Sequence, residues 1–256
     1  MASLSTAQLG TIQSDMWFRG LPSDLAQWLV SAGVLRSLRP SQHLFFRGDP
    51  ADGLYAVLAG TLRVSGITAN GKEALLTLLD PPVWFGELGL FDGLPRAHDI
   101  QADGEVVVLH LPLQVLQQQL ELLPSWWPHF GRLMSYKTRL LMANHEGLTL
   151  TTQEGLLARR LLWIARSSES GFNRDKIVVK ISQDTLAQLL SMSRQTINRL
   201  LKSLQGKGAL KLGYCEVRIV DFEKLVNLAE LSSIDRKMLR HLQEEAWNGD
   251  ELPLSR

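Results

Sequence analysis

The sequence predicts an α+β protein with an N-terminal antiparallel β-roll, a long helix and a C-terminal winged helix-turn-helix. Three observations support this fold class. Short β-rich runs separated by glycines occupy residues 41–111, and such spacing is typical of a small antiparallel barrel or roll. The pattern becomes helical again after Pro112, and two short amphipathic helices with a tight turn between them occupy residues 181–204.

Residues 1–40 are predicted to be helical. Their apolar side chains recur at helical spacing, and the run Pro22-Ser23-Asp24 marks a helix start. With the β-rich region that follows, they form a predicted domain over residues 1–124. The apolar residues of the helical pattern are Trp17, Phe18, Leu21, Leu25, Trp28 and Leu29.

The β-rich region contains five short runs of strand-forming residues. Glycines lie between or beside them, where turns are expected. The predicted strands are residues 43–46, 54–59, 61–64, 74–79 and 106–111, and the punctuating glycines are Gly48, Gly53, Gly60, Gly66, Gly71, Gly86, Gly89 and Gly93.

A long helix is predicted from about Trp126 to about Glu146, within a segment over residues 125–150 that joins the two domains. At 1.5 Å per residue it would be roughly 30 Å long. A long helix with one apolar stripe is a natural dimer seam, and helix-turn-helix proteins commonly use two-fold symmetry. The alternative is that the stripe packs on its own barrel. The stripe consists of Phe130, Leu133, Met134, Leu140 and Leu141.

Residues 151–225 form the predicted C-terminal domain, and residues 226–256 form an extension to which we assign no role. A short helix is expected in this extension, with Ile234, Met238, Leu239 and Leu242 on its apolar side. The predicted elements of the domain are a helix (155–166), a polar loop (167–175), a strand (177–181), the helix-turn-helix (181–204) and a wing hairpin (210–212 with 215–220).

The helix-turn-helix carries the most informative side chains. Its first helix begins after Ser182, and Ser193 can cap the second. One face of the second helix is apolar, while the polar face opens with Arg-Gln. Arginine pairs with guanine and glutamine with adenine, which suits a helix that enters a major groove. A helical hairpin that packs against another element is the alternative. The candidate DNA contacts are Ser193, Arg194, Gln195, Asn198, Arg199 and Lys202.

The distribution of charge favours the DNA-binding interpretation. The whole chain has a formal net charge of only +1. Residues 155–220 carry 12 Lys and Arg against 4 Asp and Glu, whereas residues 1–154 carry 10 against 14 and residues 221–256 carry 5 against 8. Positive charge concentrated around one helix-turn-helix is the electrostatic pattern of nucleic-acid binding.

The single cysteine, Cys215, excludes an intramolecular disulfide and a four-cysteine iron–sulfur cluster. We expect a buried thiol and a reducing, cytoplasmic location. The N-terminus lacks a basic start followed by a long apolar run, so no secretory signal is expected. No apolar stretch reaches the roughly 18–20 residues that span a bilayer, so we expect no membrane-spanning helix and no membrane partner.

Three motifs in order resemble the Crp/Fnr family of bacterial transcription regulators. They are GDPADGLYAVLAGTLRV from Gly48, WFGELGLFDGLPRAHD from Trp84, and the helix-turn-helix segment. The resemblance covers roughly residues 17–225. It implies a β-roll like that of cyclic-nucleotide-binding domains, a homodimer, binding to palindromic double-stranded DNA, contact with RNA polymerase and no enzymatic activity.

The resemblance also implies an effector cradle in the second motif. Gly86, Glu87 and Leu88 should open a short helix whose N-terminus favours an anion. In family members that bind cyclic AMP, the residue at Glu87 accepts a hydrogen bond from the ribose, and the residue at Arg96 binds the cyclic phosphate. Arginine suits this task because its planar fork donates to two oxygens at once.

This chain departs from the cyclic-AMP pattern at three points. Ala97 stands where a hydroxyl residue usually follows the arginine, and the loop between Glu87 and Arg96 is one residue shorter. Leu141 and Met142 align with small hydroxyl residues that meet adenine. Each lost hydrogen bond to a buried polar ligand costs about 1–3 kcal/mol. A cyclic nucleotide, another anionic effector, and a structural Glu87–Arg96 ion pair without ligand therefore all stay open.

Other functions find less support in the residues. Haem binding needs an axial ligand such as histidine, and none of the six histidines lies in a diagnostic motif. A cupin-like enzyme on a β-roll would typically use a His-x-His metal site, and the sequence has none. The remaining alternative is a β-roll regulatory protein that binds a ligand but not DNA.

Overall fold

In the computed structural model, residues 4–67, 70–71, 73–167, 177–232 and 236 are described below. The fold class is α+β, as predicted. The chain divides into two compact units, with the boundary between Thr138 and Arg139.

Three helices begin the first unit: α1 (Thr6–Ser14), α2 (Met16–Arg19) and α3 (Ser23–Ala32). Ser5 and Gln8 form a capping box that fixes the start of α1, and α3 begins where the sequence predicted. The prediction of helix through residue 40 was wrong. Val34–Leu38 is strand β1, because it pairs antiparallel with the later strand that contains Leu109. Pairing with a distant strand overrides the local helical pattern.

The β-roll is a six-stranded antiparallel sheet. Its path is β1-β6-β3-β4, while β2 pairs with β6 and β5 pairs with β3. The two longest strands, β3 and β6, pair along most of their length and form the spine of the roll. After β1, the strands are β2 (His43–Phe45), β3 (Gly53–Ile67), β4 (Glu73–Leu79), β5 (Val83–Phe85) and β6 (Asp99–Pro112).

Strand β3 is continuous where the sequence predicted a break at Gly60. Gly60 has a φ of 76°, and the pairing with β6 shifts register between Val57 and Ala59 and again between Ala59 and Thr61, so bulges carry the strand through the glycine. Strand β5 and the first half of β6 were not predicted. β5 is only three residues long, and Asp99–Gly104 has only two apolar side chains, Ile100 and Ala102, which alternate with polar ones.

Alternating residues of β3 face two hydrophobic cores. Tyr55 and Val57 belong to the core inside the roll, whereas Leu54 and Ala56 belong to a core that the helices cover. This alternation is the two-residue period of a strand buried on both faces. The loop that precedes β3 carries charged residues that are described below.

Helix α5 (Leu113–Leu122) and a 3-10 turn (Pro124–Trp126) lead into the long helix α6 (Trp127–Leu150). The predicted apolar stripe of α6 divides in two. Phe130 and Leu133 are buried in the helix-covered core of the first unit, so this part packs on its own domain. Leu141 is 68% exposed, and Met142 and Leu148 on the same helix are also exposed.

The second unit contains the predicted winged helix-turn-helix. Helix α10 was not expected and packs on α7, where the buried Arg159 donates hydrogen bonds to the carbonyls of Ala229 and Glu230. The sheet order is β7-β9-β8. The elements are α7 (Gln153–Ser167), β7 (Ile177–Lys180), α8 (Gln183–Leu189), α9 (Arg194–Gly206), β8 (Leu210–Gly213), β9 (Glu216–Ile219) and α10 (Phe222–Leu228).

The prediction that Cys215 is buried was wrong. Gly213 pairs with Glu216, so Tyr214 and Cys215 form the two-residue turn of the wing, and Cys215 is exposed with a φ of 52°. The predicted strand began at Cys215, whereas strand β9 begins one residue later, at Glu216. Most of the predicted polar loop 167–175 and the helix expected in the C-terminal extension lie outside the described residues.

Candidate functional site

Two serines determine where the two helices of the helix-turn-helix begin. The Ser182 side chain accepts a hydrogen bond from the Thr185 backbone N–H, and Ser193 accepts one from Thr196, each at 3.0 Å. Both are N-caps, as the sequence predicted. The apolar face of α9 is buried within its own unit and consists of Ile197, Leu200, Leu201 and Leu204.

The opposite face of α9 is open to solvent. Burying the four apolar residues leaves the polar residues on one continuous surface, because positions three and four residues apart share a helix face. Of the six predicted DNA contacts, five are exposed and Asn198 is half-buried. The exposed residues are Ser193, Arg194, Gln195, Arg199 and Lys202.

Two of these six side chains are held by the first turn of α8. Asn198 Nδ2 donates to Gln183 Oε1 at 3.0 Å, and Arg194 Nη1 lies 3.5 Å from Asp184 Oδ2. Because the first helix begins after Ser182, Gln183 and Asp184 lie in its first turn, but no signal in the sequence assigns them these contacts. Gln195, Arg199 and Lys202 extend from α9 toward solvent.

The second candidate site is the predicted effector cradle in the first unit. Gly86 has a φ of 99°, and a Cβ there would lie 2.6 Å from the Gly53 carbonyl oxygen, so only glycine fits. The short helix α4 (Leu88–Asp92) follows, as predicted, with Glu87 at its N-cap. Leu88 and Ala97 are exposed at the edges of the cradle.

Arg96 is buried at the centre of the cradle with only 7% of its surface exposed. Its backbone N–H donates to the Asp49 carbonyl and its carbonyl accepts from Gly48, both at 2.8 Å, so the loop before β3 positions it. Nη2 donates to Asp52 Oδ1 at 2.6 Å and to the Gly53 carbonyl at 2.8 Å. Its guanidinium also lies 4.2 Å from the centre of the Phe45 ring.

Asp52 is the common partner of several charged and polar groups. Besides Arg96, it accepts a hydrogen bond from the Tyr55 hydroxyl and lies 3.5 Å from Arg36 Nη1 and 3.7 Å from His110 Nε2. Partial burial raises the pKa of Asp52, but the hydrogen bonds from Tyr55 and Arg96 outweigh it and hold the pKa below its ordinary value. The Asp52 carboxylate is therefore charged, and it is the protein's own anionic partner of Arg96.

Burial shifts the pKa values of two neighbours of Asp52, the Tyr55 hydroxyl and the His110 imidazole. Burial and the hydrogen bond to Asp52 raise the pKa of Tyr55, so its hydroxyl stays protonated and donates. Burial lowers the pKa of His110. A neutral His110 leaves Arg96 as the buried cation nearest the Asp52 carboxylate.

Glu87 and Arg96 do not form the ion pair that was one of the sequence alternatives. Buried Glu87 accepts a hydrogen bond from Lys137 Nζ at 2.6 Å, while Arg96 pairs with Asp52. Sequence reasoning missed both new partners. Asp52 had a usable signal, because it immediately precedes strand β3 in the same motif. Lys137 lies one helical turn before Leu141, a position already aligned with the effector pocket.

Within the described residues, no group of three or more His, Cys, Asp and Glu side chains could hold a metal ion. In the same part of the chain, we find no helix with both the length and the apolar character of a membrane span.

Two family models match the chain, one on each unit. The cyclic nucleotide-binding domain matches residues 35–122, and the Crp-like helix-turn-helix domain matches residues 157–228. The chain is 29% identical over 221 residues to the CRP-like cAMP-activated global transcriptional regulator of Mycobacterium tuberculosis, covering 78% of this chain and 98% of the relative. It is 26% identical over 180 residues to the cAMP-activated global transcriptional regulator CRP of Pasteurella multocida, covering 70% and 86%.

Solved structures have the same fold. A transcriptional regulator of the CRP/FNR family from Thermus thermophilus superposes with a TM-score of 0.59 at 26% identity, covering 77% of this chain and 99% of that one. FixK2 from Bradyrhizobium japonicum superposes with a TM-score of 0.69 at 18% identity, covering 78% and 99%.

Proposed function

We infer from these matches that the chain belongs to the Crp/Fnr family of transcription regulators, and from this premise we propose that it binds palindromic DNA as a homodimer and responds to a small anionic effector. The observation that carries the proposal is the exposed polar face of α9, which opens with Arg194 and Gln195. It lies in a segment with a strong excess of positive charge, whereas the chain as a whole is nearly neutral. The relatives named above are transcriptional regulators.

We propose that α9 enters the major groove. Arg194 and Arg199 would donate to guanine, and Gln195 would pair with adenine, while Ser193 and Lys202 would contact phosphates. Asn198, already bonded to Gln183, would contribute its remaining amide hydrogen or its carbonyl oxygen. Since the matched helix-turn-helix region extends to residue 228, the proposed DNA-binding domain runs from 151 to the end of α10 rather than to 225.

We propose that dimerisation uses the C-terminal part of α6. Met134, Leu141 and Leu148 recur every seven residues, which gives one apolar row of a coiled-coil heptad, while the second row, Thr138 and His145, is polar. Leu141 and Leu148 are more than 60% exposed in the single chain, as expected of side chains that a second copy covers. One recognition helix per subunit then reads one half-site.

We propose that the effector binds at Arg96, with Glu87 and Lys137 beside it. These groups form a buried cradle in which each cation already has a carboxylate partner. An anionic ligand would compete with Asp52 for Arg96. The names of the relatives suggest cyclic AMP, but Ala97 lacks a hydroxyl and Leu141 and Met142 offer adenine no side-chain hydrogen bond, so we propose the wider class of small anions.

A thermal-shift screen of cyclic nucleotides and other small anions tests the effector proposal, because a ligand that binds only the folded protein raises the melting temperature. Arg96→Leu should abolish the shift caused by the effector. If the cradle is a weakened cyclic-nucleotide site, Ala97→Ser should tighten cyclic AMP binding by about 1 kcal/mol. No gain from Ala97→Ser would count against a cyclic nucleotide.

Selection from a random DNA pool by the purified protein tests the DNA-binding proposal. Enrichment of a two-fold symmetric sequence is expected. Failure to enrich any sequence would favour the alternatives, a β-roll regulatory protein or a cupin-like enzyme without a DNA-binding role. We further propose that the protein acts in the cytoplasm, contacts RNA polymerase and has no enzymatic activity of its own.

A further inference from the structure

The first residue of α9, Arg194, has a carboxylate within reach. Asp184 in the first turn of α8 lies 3.5 Å from it, and the two side chains are 59% and 70% exposed, respectively. A cation is disfavoured at a helix N-terminus, where the helix dipole is positive. Asp184 offsets this effect and favours one orientation of the exposed Arg194 side chain.

An arginine on a DNA-facing surface has two kinds of target. A phosphate is a charged acceptor that occurs along every sequence, whereas a guanine edge is a neutral acceptor that occurs only at particular base pairs. The guanidinium has five N–H donors, so it can bind the O6 and N7 atoms of guanine and still donate to Asp184. A phosphate bound by the same arginine would place a second negative charge beside the carboxylate.

We propose that Asp184 is a specificity-determining residue that weakens phosphate binding by Arg194 more than guanine binding. The proposal rests on the proposed function, since it assumes that α9 reads DNA. Asp184 acts by positioning Arg194 and by repelling phosphate, and it makes no base contact of its own. The Gln183–Asn198 hydrogen bond from the same turn restrains a second side chain of the reading surface in the same way.

The test compares Asp184→Asn with Glu223→Gln in the full-length protein. Asp184 and Glu223 are each the acidic residue in the first turn of a seven-residue helix, but Glu223 lies on α10, which packs on α7. Affinity is measured for the duplex selected by the unaltered protein and for a scrambled duplex of the same composition. Asp184→Asn should tighten binding to the scrambled duplex by about threefold per subunit, the size of an exposed ion-pair effect, and should reduce the specificity ratio accordingly.

The salt dependence gives an independent measurement. If Arg194 is released to a phosphate, the slope of log K against log salt for the scrambled duplex should steepen by about 0.9 per subunit. Glu223→Gln should leave both the ratio and the slope unchanged. Asp184→Glu, which keeps the charge, should retain the specificity ratio. In an Arg194→Ala background, Asp184→Asn should leave the ratio unchanged.

An unchanged specificity ratio in Asp184→Asn would overturn the proposal. An equal fall in Glu223→Gln, or a fall that persists without Arg194, would also overturn it, because the effect would then be a general one of net charge. These outcomes are distinct from failure of the proposed function, in which the unaltered protein would enrich no sequence at all.

Discussion

Loss of the Asp52 carboxylate should destabilise the β-roll. Asp52→Asn removes the carboxylate that faces Arg96, Tyr55 and His110, and it leaves a guanidinium that is only 7% exposed without its charge partner. Breaking a buried ion pair costs about 3–5 kcal/mol. Because the Asp52 side chain is 41% exposed, water screens part of the interaction, and we expect a loss of about 2 kcal/mol.

The assay is calorimetric unfolding of the full chain. A loss of about 2 kcal/mol should lower the melting temperature of the first unit by about 4–10 °C. Inorganic phosphate should restore part of the loss in Asp52→Asn, since an external anion can then bind Arg96. Asp103→Asn is the control, because it removes an exposed carboxylate 3.7 Å from Arg63 on the same roll. Equal melting temperatures for the two variants would refute the reasoning.

Three further predictions concern DNA reading, assembly and pH. Arg194→Ala should cost about 1–3 kcal/mol at one base pair per half-site, measured by binding to single-substitution duplexes; a uniform loss over all sequences would mean that Arg194 contacts only phosphate. Leu141→Asp should weaken the dimer at least tenfold in sedimentation analysis, because a buried leucine contributes about 1.5–3 kcal/mol, whereas Leu122→Asp on α5 should have no effect on assembly. The buried His110 has a lowered pKa, so the unfolded chain takes up a proton that the folded one refuses, and stability should fall as pH drops below about 6.5. His110→Gln should reduce this fall between pH 7.5 and 5.5, and an identical pH slope in both proteins would contradict the assignment.

The sequence was a reliable guide wherever local pattern and tertiary structure agree. Ser182 and Ser193 cap their helices as predicted, because capping depends on residues within one turn. The solvent-exposed face of α9 follows from the spacing of four apolar residues. The family model and the relatives support the same interpretation of this segment.

Apart from Cys215 in the tight turn of the wing, the errors arose where long-range pairing decides the structure. Val34–Leu38 is a strand because β6 lies beside it, and no signal within those five residues shows that. Asp52 and Lys137 reach the cradle from a loop and from α6, 44 and 50 residues away in sequence from the groups they bind. Composition and spacing cannot assign partners over such distances, so the sequence identified the cradle residues but not which charge neutralises which.

The most direct test of the central claim is a hydroxyl-radical footprint of the purified protein on the DNA duplex that it selects. We predict two protected regions related by two-fold symmetry, with centres one helical turn or about 34 Å apart, produced by one dimer. A single asymmetric protected region, or protection by a monomer, would contradict the account.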